Sequence, residues 1–126
     1  MTTFHAALWI DHQSAQILQF DLEHVQAHTV KASSRHSRTH GSQVRTEHEF
    51  FAHVCDALEG IAEVLVLGPH TGLADFQHYA KKHRPATAQH IVAYQTSEQQ
   101  SENQIIALAR KFFLAHDRME GRPTPS

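Results

Sequence analysis

The sequence lacks the features that mark secreted and membrane proteins. It has one cysteine, Cys55, which excludes an intrachain disulfide. No run of about eighteen apolar residues occurs, so we predict no membrane-spanning helix. The amino terminus also lacks the basic start and apolar stretch of a secretory signal. We therefore expect a cytoplasmic protein in which Cys55 is a small buried apolar residue rather than a nucleophile.

Internal repeats are absent as well. The length of 126 residues, with 40% hydrophobic residues, is typical of one domain with a single core. We expect this domain to span residues 1–118. The remaining residues, 119–126, include a glycine, two prolines and polar residues, and we expect them to form a disordered tail.

Acidic residues are missing from one segment, residues 31–45, which we call the basic segment. The chain has a net charge of −2, so a charge of +4 on this segment leaves −6 on the rest. Local basic charge on a serine-rich loop suits a phosphate backbone, although a merely solvated loop could have the same composition. Below about pH 6.5 its histidines would add charge. The candidate nucleic-acid-binding residues are Lys31, Arg35, His36, Arg38, His40 and Arg45.

The hydrophobic pattern predicts a mixed five-stranded sheet. Apolar residues on both sides of the turn at 11–14 predict a hairpin, and alternation over 25–31 predicts a third antiparallel strand. The apolar run at 63–68 predicts a central strand, covered on both faces and parallel to a neighbour. A shorter apolar run at 90–94 predicts the fifth strand. An antiparallel meander followed by alternating helices and strands is an α/β arrangement.

Three helices are predicted between and after these strands. Thr46 is a candidate N-cap, the acids that follow it suit a first helical turn, and Gly60 ends the helix. A second helix is predicted at 73–82, after Thr71 as its N-cap, and a third at 98–116. The apolar faces of these helices should pack on the sheet.

The order of elements resembles the middle domain of the class-1 peptide release factors of archaea and eukaryotes. It is also similar to the related Pelota ribosome-rescue factors and to small stand-alone bacterial proteins of the translational machinery. The resemblance covers residues 6–113. It rests on the hairpin Trp9-Ile-Asp-His-Gln-Ser-Ala15, the basic segment, the strand Val64-Leu-Val-Leu-Gly-Pro69 and Phe76. It implies a release-factor-like fold that also resembles ribonuclease H, and the ribosome, ribosomal RNA or tRNA as partner.

The same resemblance points to one tripeptide. In release factors a Gly-Gly-Gln sequence at the tip of the corresponding loop enters the peptidyl-transferase centre and helps water attack the peptidyl-tRNA ester. The matching residues here are Gly41, Ser42 and Gln43. A β-carbon at Ser42 restricts the backbone that would place the Gln43 amide. We therefore expect a binding factor without cofactors, and peptidyl-tRNA ester hydrolysis only if this tripeptide acts despite the substitution.

Two alternatives remain open. A metal-dependent ribonuclease-H-like nuclease would use acids such as Asp11, Asp21, Glu47 and Glu49, yet each also suits a turn or a helix start. The other alternative is a protein-interaction module or small homo-oligomer without an RNA role. Magnesium-dependent cleavage that is lost in an Asp11→Asn variant would favour the nuclease.

The thirteen histidines do not form a recognisable metal motif. His48 and His53 are five residues apart, whereas the zinc-protease helix motif needs a spacing of four. His24 and His28, like the two histidines of the basic segment, have no cysteine or carboxylate in a metal-binding pattern. We therefore predict no metal site from the sequence.

Overall fold

A five-stranded mixed sheet with helices on both faces forms the protein. The structure, a computed structural model, describes residues 5–21, 23–32 and 40–119, with the backbone alone at 40–45 and 117–119. The strands are β1 (His5–Ile10), β2 (Ser14–Phe20), β3 (Val25–Lys31), β4 (Glu63–Gly68) and β5 (Ile91–Thr96). The helices are α1 (His40–Ala57), α2 (His70–His83), α3 (Pro85–Ala88) and α4 (Glu102–Met119).

The strand order in the sheet is β3-β2-β1-β4-β5. The pairs β1–β2 and β2–β3 are antiparallel, and β1–β4 and β4–β5 are parallel. This confirms the predicted fold class. Because β1, β3, β4 and β5 run in the same direction, their carboxyl ends meet at one edge of the sheet, which we call the carboxyl edge. The turn between β1 and β2 lies at this edge too.

The sheet divides the apolar core into two layers. Leu8 and Ile10 of β1 pack with α1 and α2, whereas Ala7 and Trp9 of the same strand pack with α4. Both β1 and β4 are buried along their whole length. Strands covered on both faces are expected to be continuously apolar, and the prediction of a buried, parallel central strand at 63–68 is confirmed.

Helix α1 packs its predicted apolar face on the sheet. Its residues Phe50, Phe51, Val54 and Cys55 are buried, and so is Leu58, which follows the last residue of the helix. Cys55 is 1% exposed, and burial raises the pKa of its thiol from 9.0 to about 11. A buried, protonated thiol is not a nucleophile at neutral pH.

We expect Cys55 to resist thiol reagents in the folded protein. With a pKa of about 11, the thiol stays protonated at pH 8, and the attacking species is the thiolate. Ellman's reagent at pH 8 should therefore react slowly with native protein and quickly in concentrated guanidinium chloride. Rapid reaction under native conditions would contradict the buried position.

Three helix starts differ from their predictions. The last helix, α4, begins at Glu102 rather than at residue 98. α1 begins at His40 rather than Thr46, because no proline interrupts residues 40–45 and a first turn tolerates Gly41. α2 begins at His70 after Pro69, so Thr71 is not its N-cap. Proline needs no amide partner where a helix begins, and no side chain caps this end.

A buried histidine–carboxylate pair lies at the amino ends of β1 and β4. His5 and Glu63 are register partners in the parallel pair, and the His5 Nε2 atom is 3.1 Å from the Glu63 Oε1 atom. His5 is 5% exposed and Glu63 2%. His116 of α4 approaches the second carboxylate oxygen at 3.9 Å. This pair therefore connects two strands and a helix inside the core.

Within the described ranges, no helix combines the length and the apolar character needed to cross a bilayer. α4 continues to Met119, the first residue of the predicted tail. Residues 120–126 of that tail lie outside the described residues.

Candidate nucleic-acid interface

The basic segment connects β3 to α1 at the carboxyl edge. Lys31 is the last residue of β3 and is exposed, and its register partner is Ser14 at the start of β2. The next residue is also anchored, since the Ala32 amide donates a 2.8 Å hydrogen bond to the Gln13 carbonyl oxygen. The first end of the segment is thus fixed to the β1–β2 turn. In open α/β sheets, ligands commonly bind outside the carboxyl ends of the strands.

The other end of the basic segment is the beginning of α1. Gly41, Ser42 and Gln43 lie in the first turn of this helix, so the expectation that they form the tip of a loop is wrong. The first four amides of a helix have no partner inside it, and they carry the positive end of its dipole. The first turn of α1 contains no acidic residue that would offset this charge. Its backbone therefore adds to the positive charge of the segment.

The predicted binding residues fall into three groups. Lys31 is exposed on β3. His40 and Arg45 lie in α1, where the backbone alone is described. Arg35, His36 and Arg38 lie outside the described residues.

Two of the four acids proposed for a nuclease, Asp11 and Asp21, have structural partners in turns. Asp11 accepts hydrogen bonds from the Gln13 and Ser14 amides, each at 2.8 Å, and so closes the β1–β2 turn. Asp21 caps the next turn in the same way, and the amides of His24 and Glu23 lower the pKa of its carboxyl. Both carboxylates therefore stabilise turns.

The acid nearest to the central strand lies at the wrong edge for a two-metal site. Glu63 begins β4 beside His5, the first residue of β1, whereas Asp11 follows the last residue of β1. At about 3.3 Å per residue these ends are roughly 20 Å apart. Two metals in a nuclease centre lie about 4 Å apart. Glu63 is therefore too far from Asp11 to share a metal site with it.

Two histidines considered as metal ligands, His48 and His24, contact rings or a carboxylate of nearby elements. His48 packs against the rings of Tyr79 and His83, at 5.1 and 5.5 Å between centroids. His24 lies 3.5 Å from the Asp21 carboxylate at an exposed turn. His48 thus contacts two rings of α2, and His24 lies beside a carboxylate of its own turn.

No sequence pattern singles out His12 or Asp75, yet the structure places them in contact. The His12 Nε2 atom is 2.7 Å from the Asp75 Oδ2 atom, across the carboxyl edge from the β1–β2 turn to α2. The only local signal was a histidine within the hairpin turn. The two residues are 63 positions apart, so periodicity could not pair them.

Similarity to known proteins is found in structure and not in sequence. Neither a protein-family model nor a curated protein matches the chain. Pelota from Thermoplasma acidophilum has a TM-score of 0.60 at 18% identity, over 90% of this chain and 32% of that protein. Pelota from Archaeoglobus fulgidus has a TM-score of 0.67 at 16% identity, over 93% and 35%.

An archaeal translation termination factor, aRF1, is similar as well. Its TM-score is 0.56 at 15% identity, over 93% of this chain and 39% of that protein. The chain thus spans between 32% and 39% of the length of these three structures. At identities this low, the likeness shows a shared fold. The fold is the release-factor-like α/β fold expected from the order of helices and strands in the sequence.

Proposed function

We propose that this protein is a cytoplasmic translation-associated factor that binds the ribosome, through ribosomal RNA or tRNA, with its basic segment. One observation carries the proposal: an acid-free segment of charge +4 joins β3 to α1 at the carboxyl edge of a fold shared with Pelota and a translation termination factor. The structural likeness alone would not specify a partner. The charge at this position is what favours a polyanion.

The charges of the segment suit phosphate contacts. Lys31 is exposed at its anchored end, and the positive end of the α1 dipole lies at its other end. Contacts of this kind supply affinity and orientation but do not read sequence. We therefore propose recognition of a ribosomal or tRNA surface by shape and charge rather than by base sequence.

We propose binding without efficient ester hydrolysis. Ser42 replaces the second glycine of the release-factor tripeptide, and residues 41–43 have helical backbone in this structure. A helical turn directs successive amides along one axis, which differs from an extended or left-handed loop tip. Peptidyl-tRNA hydrolysis should therefore be weak or absent.

Co-sedimentation with ribosomes at several salt concentrations tests the proposal. If four fixed charges each contact one phosphate, the logarithm of the binding constant should fall by about 0.7 per phosphate for each tenfold increase in salt on single-stranded RNA. Between 50 and 200 mM salt this corresponds to a loss on the order of 50-fold. Protein that stays at the top of every gradient, even at low salt, would overturn the proposal and favour an interaction module.

Reversing charges in the basic segment should selectively remove this binding. We expect Arg35→Glu, Arg38→Glu and Arg45→Glu together to weaken ribosome binding at least about tenfold, because three phosphate contacts become repulsive. A matched control reverses three exposed lysines on α2 and α4, Lys81, Lys82 and Lys111, and so changes the net charge equally. Equal loss in both triple variants would mean that net charge, and not the basic segment, controls binding.

A further inference from the structure

Three side chains that are distant in sequence converge at the carboxyl edge. His12 lies in the β1–β2 turn, Glu47 in α1 and Asp75 in α2. One ligand atom from each residue lies within 4.8 Å of the other two. His12 and Asp75 are already in contact at 2.7 Å, and Glu47 is half-buried beside them. The cluster thus joins one imidazole nitrogen with two carboxylates.

We propose that His12, Glu47 and Asp75 bind one divalent transition-metal ion, for which Zn²⁺ is the probe. Metal–nitrogen and metal–oxygen bonds of about 2.0–2.2 Å place neighbouring ligand atoms roughly 3.0–3.6 Å apart. Separations within 4.8 Å reach that range by small side-chain rotations. Imidazole favours zinc and its neighbours over magnesium and calcium, and carboxylates complete a common zinc donor set.

The backbone around the cluster is held independently of any metal. The Asp11 carboxylate closes the turn that carries His12 through two 2.8 Å hydrogen bonds. α2 lies directly on this turn, since a Cβ atom added at Gly72 would be 3.1 Å from the Asp11 Cα atom. The ligands therefore approach one another because the elements that carry them are packed together.

The packing of α1 on α2 fixes the third ligand. Phe51 is one helical turn after Glu47, and Phe76 directly follows Asp75. The rings of these two phenylalanines meet edge to face at 5.4 Å, and both are almost fully buried. This contact holds Glu47 and Asp75 on facing helices. A metal site built on rigid elements loses little freedom when it binds the ion.

A bound divalent cation would also match the charge of the cluster. Two carboxylates share a single histidine at this edge, and a divalent ion would neutralise both charges. Three protein ligands leave at least one coordination position for water or another ligand, as in catalytic rather than structural zinc sites. The ion would connect α1 to α2 and to the β1–β2 turn, close to both ends of the basic segment.

Isothermal titration calorimetry of Zn²⁺ into tag-free, chelator-treated protein tests the site. We expect one binding equivalent per chain that is stronger than the scattered binding to other histidines. His12→Ala, Glu47→Gln and Asp75→Asn should each weaken it at least about tenfold, since even supporting residues of metal sites contribute 10- to 100-fold. Circular dichroism and denaturant unfolding would show that these partly exposed variants still fold.

His24→Ala is the matched control. His24 is also a turn histidine near a carboxylate, 3.5 Å from Asp21, but no third ligand joins that pair in the described part of the chain. The His24→Ala variant should bind Zn²⁺ as the wild-type protein does. Unchanged binding in the three site variants, or an equal loss in His24→Ala, would overturn the proposal. The titration needs no ribosome, so its result is independent of the proposed function.

Discussion

Replacing Glu63 with alanine is expected to lower the free energy of unfolding by about 1–3 kcal/mol. Glu63 is 2% exposed, and its carboxylate lies 3.1 Å from the imidazole of His5, which is 5% exposed. The variant leaves the buried polar ring of His5 without this acceptor, inside a layer that also contains Phe20 and Phe113. Urea unfolding followed by circular dichroism measures the change.

A surface pair and a double substitution give the controls for Glu63. Asp56 pairs with Arg84 at 2.8 Å on the surface, and Asp56→Ala should change stability by less than about 1 kcal/mol. Replacing His5 and Glu63 together with leucine should restore part of the loss, because the buried histidine is removed together with its carboxylate partner. A Glu63→Ala variant as stable as Asp56→Ala would show that the buried pair contributes little.

Gly68→Ala is expected to destabilise the protein by about 3 kcal/mol. A Cβ atom at this position would overlap the carbonyl oxygen of Ile10 in the neighbouring strand. That carbonyl cannot move away easily, because Ile10 is fully buried and β1 is paired on both sides. Relief would require the ends of β1 and β4 to move apart just beyond the last pair of their ladder, Trp9 and Leu67. The midpoint of thermal or urea unfolding reports the loss.

Gly60→Ala separates this steric effect from backbone conformation. Gly60 has a φ of +84°, yet nothing lies within 4 Å of an added Cβ atom. The alanine should therefore cost only about 1 kcal/mol, the usual penalty for a side chain in this conformation. If Gly68→Ala were no more harmful than Gly60→Ala, the close approach of β1 and β4 would not be a significant constraint.

The position of Gly68 also bears on the proposed sites. Close contact between Gly68 and Ile10 brings the start of α2 against the β1–β2 turn, and Gly72 continues this contact on Asp11. The same region contains His12, Asp75 and the anchored start of the basic segment. Close strand packing at the carboxyl edge therefore determines the spacing on which both the metal proposal and the location of the basic segment depend.

The elements were predictable where burial imposed a period on the sequence. β4 is buried on both faces, and all of its residues after Glu63 are apolar or glycine. The large apolar residues of α1 recur with the helical period. The start of α1 was not predictable in this way. Thr46, Glu47 and Glu49 have the composition of a helix start, but α1 begins earlier, at His40. Helical hydrogen bonds form between backbone groups, so a helix can extend into residues that have no apolar period.

Three properties could be predicted from the sequence by itself. They are the positive charge of residues 31–45, the α/β fold class and the burial of Cys55. These properties follow from local composition and from the strand and helix periods of two and 3.6 residues, which are present in the sequence itself. The tertiary structure decided which side chains meet. His12, Glu47 and Asp75 converge, and His5 pairs with Glu63, because parallel strand pairing and helix packing bring together residues 28 to 63 positions apart. No local pattern records such contacts, since they arise only when the strands are placed side by side.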